Sequence, residues 1–120
     1  MKILIADDSR VMRQIVTRTL RQAGFGDHEL FEAADGKEAV EKAVAEAPDL
    51  VISDWNMPEM TGIEVLRALR AGGNAVKFGF VTSECTPEMQ QQAEAAGAEF
   101  FIVKPFTAER FEEVFSPILG

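Results

Sequence analysis

The sequence has one cysteine, one histidine and no tyrosine among its 120 residues. A lone Cys85 excludes an intrachain disulfide framework and any thiolate-rich zinc site. A lone His28 excludes sites that need several imidazoles. Basic residues are also outnumbered: 12 Lys and Arg stand against 20 Asp and Glu, a formal net charge of -8. Such a chain repels a phosphate backbone on average, so nucleic acid is not an expected partner. Apolar runs are short. Ile3–Ala6 and Phe100–Val103 fall far below the roughly 20 residues of a membrane span or the core of a signal peptide. A soluble, cytoplasmic protein with no membrane partner is expected. No Gly, Ser or Pro stretch, charge block or repeat divides the chain, so residues 1–120 read as a single domain with no output domain attached.

What is present is an alternation of two apolar patterns. Ile3–Ala6, Leu50–Ile52, Phe78–Val81 and Phe100–Val103 are continuous runs, as strands buried on both faces of a parallel sheet are. Glu29–Ala33 is a weaker fifth candidate, nearer an edge. Between them, Met12, Ile15, Val16, Leu20 and Ala23 recur at helical spacing, which turns Arg10, Arg13, Arg18 and Arg21 towards water. Asp35 predicts the cap of a second helix, with Glu38 as its capping-box partner and Ala39, Val40, Ala43 and Val44 inward. Ile63, Leu66 and Leu69 mark a third helix, ending near Gly72-Gly73. Thr86-Pro87-Glu88 starts a fourth that Gly97 stops, and Phe111, Val114, Phe115 and Ile118 stripe a fifth. Five strand–helix pairs in alternation imply an α/β fold with a doubly wound parallel sheet, right-handed crossovers and helices on both faces.

In such sheets the site lies at the carboxyl ends of the strands. The first strand ends at Asp7-Asp8, the third at Asp54, the fourth at Thr82 and the fifth at Lys104-Pro105. Any one of these acids reads equally well as a helix cap or loop residue. Capping does not explain an acid pair, a third acid, a hydroxyl and an amine at four strand ends. Carboxylates this close repel unless a cation sits among them. A hard divalent cation with oxygen ligands fits, and magnesium fits best.

Together Asp7-Asp8, the run Asp54-Trp55-Asn56-Met57-Pro58 with Gly62, Thr82, and Lys104-Pro105-Phe106 resemble the receiver domain of two-component response regulators, particularly the stand-alone chemotaxis (CheY-like) kind. The resemblance covers essentially the whole chain. It implies the flavodoxin-like strand order 2-1-3-4-5. It also implies that Asp54 accepts a phosphoryl group from a histidine kinase or phosphotransfer protein. In that scheme Mg2+ takes one carboxylate oxygen each from Asp8 and Asp54, the backbone carbonyl of Asn56, and Asp7 through water. Lys104 pairs with a phosphoryl oxygen, and Thr82 donates its hydroxyl to another. Thr82 and Phe101 form the switch, and Asn56 with Glu84 tunes the lifetime of the acyl phosphate to seconds or minutes.

By the same resemblance the downstream target meets the surface of helix four, strand five and helix five, with the flagellar motor switch protein as one target. Two features of this chain differ from the chemotaxis type. The switch aromatic is Phe101 rather than a tyrosine, so it offers no hydroxyl to a partner. From Pro87 onward only Lys104 and Arg110 stand against six glutamates, which calls for a basic or apolar partner.

The expected role is signalling by protein contact, as a monomer and not as an enzyme beyond its own phosphotransfer and dephosphorylation. A relay intermediate or phosphate sink is the alternative. A magnesium-dependent phosphohydrolase would need a second acid near Asp54, where Trp55-Asn56 stand, and a flavin mononucleotide carrier would not place Asp7-Asp8 in its phosphate loop. His28 and Cys85 are expected to pack structurally, Trp55 to flank the site as a fluorescence reporter, and the arginine row to be a solvated face near which kinases dock.

Overall fold

The computed structural model describes residues 1–119. In chain order the elements are β1 (Lys2–Ala6), α1 (Arg10–Gln22), β2 (Glu29–Ala33), α2 (Gly36–Ala45), β3 (Leu50–Ser53), α3 (Gly62–Ala71), β4 (Lys77–Thr82), α4 (Pro87–Ala95), β5 (Phe100–Val103) and α5 (Ala108–Leu119). The five strands form one sheet in the order β2-β1-β3-β4-β5, and every pairing is parallel. The doubly wound arrangement and its order are those expected from the sequence, and β2, the weakest pattern, is an edge strand.

Period-two alternation divides the core between two faces. Ile3 and Ile5 of β1, with Leu50, Ile52, Val81 and Ile102, point to the side of Val16, Leu20, Phe111 and Phe115 from α1 and α5. Leu4 and Ala6, with Val51, Phe78 and Phe80, point to the side of α2, α3 and α4. The three interior strands, β1, β3 and β4, are almost wholly buried. Each large side chain removed from water contributes about 1.5–3 kcal/mol towards offsetting chain entropy.

Side-chain oxygens start the helices. Ser9, Asp35, Thr61 and Thr86 each accept the N–H three residues on, and the Thr107 hydroxyl accepts that of Arg110. Gly73 and Gly97, at φ +78° and +92°, take the chain away from α3 and α4 in the left-handed region where a side chain would be strained.

Four local expectations are corrected. Asp35 caps α2, but the reciprocal box is at Thr61 and Glu64 of α3, because Glu38 turns to Lys42 at 3.3 Å instead. Val44 is 66% exposed: Gly36, Ala39 and Ala43 form the buried stripe at i, i+3, i+7, and Val44 lies one step of about 100° round from Ala43. Cys85 is exposed in the β4–α4 loop rather than packed. Arg13 does not face water, as its contacts below show. His28 packs beside Phe25, at 6.3 Å between ring centroids.

Candidate functional site

The parallel ladder runs one residue beyond the strands, and this fixes where the polar side chains emerge. Asp7 N–H donates to Ala33 O at 3.0 Å, Asp54 N–H to Ala6 O at 2.8 Å and Lys104 N–H to Thr82 O at 2.8 Å. Asp7, Asp54 and Lys104 are therefore held by main-chain bonds at the carboxyl edge of the sheet, in a register set by the buried strands behind them.

One carboxylate oxygen each from Asp7, Asp8 and Asp54 lies within 4.8 Å of the others. Asp7 is buried, Asp54 half-buried and Asp8 exposed. Ser9, not Asp8, caps α1, so capping does not consume the Asp8 carboxylate. Lys104 Nζ sits 3.4 Å from Asp7 Oδ2 and 4.0 Å from Asp54 Oδ2. The second oxygens of these acids take backbone donors: Asp7 Oδ1 accepts Ser9 N–H at 2.9 Å and Asp54 Oδ1 accepts Trp55 N–H at 2.8 Å.

Burial pushes the Asp7 carboxyl above the ordinary aspartate range. The Asp54 charge adds to the rise, while the Ser9 N–H and the Lys104 ammonium counter it. Three acids thus share one cation in a partly desolvated corner. A hard divalent ion with oxygen ligands fits this donor set, since it would neutralise the surplus charge and tolerate the exposed side on which Asp8 lies.

The remaining residues named from sequence lie round this edge. Thr82 is fully buried at the end of β4, and its hydroxyl oxygen lies 3.5 Å from Glu84 N–H. Asn56 and Glu84 meet across the rim, Asn56 Nδ2 donating to Glu84 Oε1 at 3.3 Å. Phe101 is half-buried on β5, its ring centroid 5.9 Å from that of Phe80 and 6.2 Å from that of Trp55. Trp55 is sunk into the core rather than laid over the site, with Phe80 at 4.9 Å.

Two residues that the sequence named, one in the motif run and one in a solvated arginine row, have supporting roles that it did not assign. Arg13 is only 13% exposed at its side chain. Its Nη1 donates to the carbonyl of Asp7 at 2.6 Å and its Nε to Glu32 at 2.8 Å, tying α1 to the first and second strands beside the acid. The signal was available, since Arg13 stands three and seven residues before Val16 and Leu20 on the same helical stripe. Gly62 starts α3 so close to the acid loop that a Cβ there would collide with the Asp54 carbonyl and the Phe80 ring. Its N–H donates to Trp55 O at 2.7 Å.

A family profile described as the response regulator receiver domain matches residues 3–116. The chain belongs to that family. It is 40% identical to the chemotaxis protein CheY of Pseudomonas aeruginosa, with 100% of both chains aligned. It is 39% identical to CheY1 of Helicobacter pylori across 100% of this chain and 98% of the relative. Among solved structures, Vibrio cholerae CheY4 superposes with a TM-score of 0.84 at 39% identity, covering 98% of this chain and 97% of that one. Borrelia burgdorferi CheY, crystallised with CheX, beryllofluoride and magnesium, gives a TM-score of 0.90 at 25% identity over 100% of this chain and 90% of that one. The chain is a response regulator receiver, and phosphorylation on aspartate is general to its family.

Proposed function

We propose that this chain is a phosphorylation-activated, single-domain response regulator of chemotaxis, working in the cytoplasm, with Asp54 as its phosphoacceptor. The observation that carries this reading is the half-buried Asp54 carboxylate set between two further acids and one lysine. An Asp54 oxygen attacks the phosphorus of a phosphohistidine on a kinase or phosphotransfer protein. The N–P bond breaks as the O–P bond forms, and the electron pair returns to the imidazole nitrogen. Asp8, Asp54, the carbonyl of Asn56 and, through water, Asp7 would hold Mg2+, which supplies charge neutralisation at the phosphoryl oxygens.

The protein's own groups do the rest. Lys104 exchanges its contact with Asp7 for a phosphoryl oxygen, and Thr82 offers its hydroxyl to another. Phe101 then repacks against Trp55 and Phe80 as Thr82 shifts, changing the α4–β5–α5 surface that a downstream protein meets. The Asn56–Glu84 contact covers the approach to the acyl phosphate. Water attacks the phosphorus slowly, giving orthophosphate and the free carboxylate. Self-hydrolysis aside, the domain is a signalling device rather than an enzyme that turns over substrates.

The test is intact mass after incubation with acetyl phosphate, with and without magnesium, on the native chain and on Asp54→Asn. One added phosphoryl group that requires both magnesium and Asp54, and decays over seconds to minutes, is the expected result. Addition to Asp54→Asn would move the acceptor elsewhere. No addition together with no binding of beryllofluoride would overturn the reading.

A further inference from the structure

The loop that leaves Asp54 is fastened at two places. Its base is closed where Gly62 N–H meets Trp55 O. Nearer its tip, Met60 N–H donates to Pro58 O at 2.8 Å, across Glu59, whose φ is +71°. A bond spanning three residues with a positive φ at the centre is the strained form of the γ-turn. A side-chain-bearing residue persists in that region only where its surroundings impose it. The Glu59 side chain does not impose it: the residue is exposed, and among the described residues no ion pair reaches it.

The constraint comes from another part of the fold. Gly36 is the first residue of α2 and is buried, and its N–H is one of those that a helix leaves unbonded at its start. The Asp35 carboxylate takes the N–H of Glu38 at 2.7 Å. Gly36 N–H reaches across instead to Pro58 O at 3.2 Å, so one carbonyl accepts from both α2 and the turn. The approach is close enough that a side chain on Gly36 would run into the carbonyl oxygen and the Cβ of Met60. Asn56 lies in the same loop, two residues before Pro58. Asp54 is held separately, by its N–H on Ala6 O within the sheet.

We propose that Gly36 is a positioning residue for the metal: through Pro58 and Met60, the start of α2 holds the loop in the turn that lets the Asn56 carbonyl serve as a ligand. The inference rests on the receiver reading, which makes that carbonyl a magnesium ligand. The sheet holds the acids and α2 holds the loop, so a disturbed loop lowers affinity for the ion and leaves the phosphoacceptor in place. More magnesium then restores phosphorylation. The coupling is reciprocal: an ion on the Asn56 carbonyl tightens the contact between Gly36 and Pro58, and so protects the start of a helix that supplies no ligand.

The experiment titrates magnesium against Trp55 fluorescence on the full chain and follows amide exchange by NMR, in chelator and in saturating magnesium. Gly36→Ala should weaken magnesium about tenfold. It should also speed exchange of the Met60 amide in chelator while sparing that of Asp54, and its phosphorylation by acetyl phosphate should recover at saturating magnesium. Glu59→Pro, which forces φ to about −65°, should weaken magnesium to a similar extent. The double change should cost little more than either alone, because both act through one turn. Ala43→Gly loosens α2 farther along the helix without adding an atom against Met60. It should lower the melting temperature and leave magnesium affinity unchanged. In the native chain magnesium should slow exchange of the Gly36 amide.

Native magnesium affinity in a folded Gly36→Ala would overturn the proposal, as would native affinity in Glu59→Pro should Gly36→Ala fail to fold. An equal loss in Ala43→Gly would overturn it too, since any weakening of α2 would then reach the ion. So would losses that multiply in the double variant, or a loss of phosphorylation that magnesium does not restore. A native chain that takes no phosphate and binds neither magnesium nor beryllofluoride would sink the receiver reading and the metal role with it, while the Met60 amide in chelator would still show whether Gly36 holds the turn.

Discussion

Glu64 and Asp7 are both acids that accept a nearby backbone N–H, yet their surroundings displace them in opposite directions. Glu64 lies in water at the start of α3, where the N–H and hydroxyl of Thr61 both donate to its Oε1, at 3.0 and 2.9 Å. These bonds hold its carboxyl below the ordinary glutamate range. Asp7 is buried at the sheet edge beside Asp54, and its burial holds it above the ordinary range. The first acid is satisfied by three residues of local sequence. The second is left with surplus charge by a fold that gathers acids from two strand ends. The difference separates a group that stabilises the metal-free chain from one that costs stability until a cation arrives.

Asp7→Asn tests that contrast most strongly. Removing one acid from the cluster should weaken magnesium by about 10–100-fold, the usual cost of losing a group that acts on the ion through its shell. Trp55 fluorescence during a magnesium titration would report it. The metal-free variant should melt higher than the native chain, since a desolvated acid has been made neutral. A lower melting temperature in the absence of metal would break the comparison.

Arg13→Gln sharpens it from the other side. The guanidinium holds the Asp7 carbonyl and Glu32 at once, so its loss should cost about 1–2 kcal/mol in urea denaturation and weaken magnesium several-fold by loosening the Asp7 backbone. Thr61→Ala should do less, and only to stability. Losing that cap costs about 1 kcal/mol and should leave the magnesium titration where it was. An equal shift in metal affinity would mean that the cap, one residue before the Gly62 that abuts Asp54, is part of the site.

The same contrast explains what was legible in the sequence. Cap residues act over three or four positions, and strands buried on both faces are continuous apolar runs, so β1, β3 and β4 were marked within a residue or two of their observed ends. β5 has an equally apolar run, but it is an edge strand that buries only Ile102 and not both faces as expected. The site acids were legible as a set because topology brings strand ends together, whatever the intervening loops do. Harder to read was any residue with two plausible partners. Glu38 had a cap and a lysine within reach and took the lysine. Arg13 had the charge of a surface residue and the spacing of a core one, and a main-chain oxygen at the bottom of the stripe decided for burial. Cys85 sits in a loop, where no periodicity reports which way a side chain turns.

The smallest effect expected is in acid, and its sign follows from the two displacements. Asp7 keeps its proton to higher pH in the folded chain than in the unfolded one. Its favourable contribution is therefore complete below the unfolded value and is lost as pH rises through the folded value. Glu64 releases its proton earlier when folded, so its contribution is present above the unfolded value and is lost as pH falls through the folded one. Metal-free stability over roughly pH 3 to 6 should accordingly carry two opposed slopes. Asp7→Asn should leave a curve that rises more steeply with pH than the native one, and Glu64→Gln a curve that rises less. Urea midpoints at several pH values in the presence of a chelator would measure both, and steepening by Glu64→Gln or flattening by Asp7→Asn would show that the two acids do not divide the work between fold and site as their environments indicate.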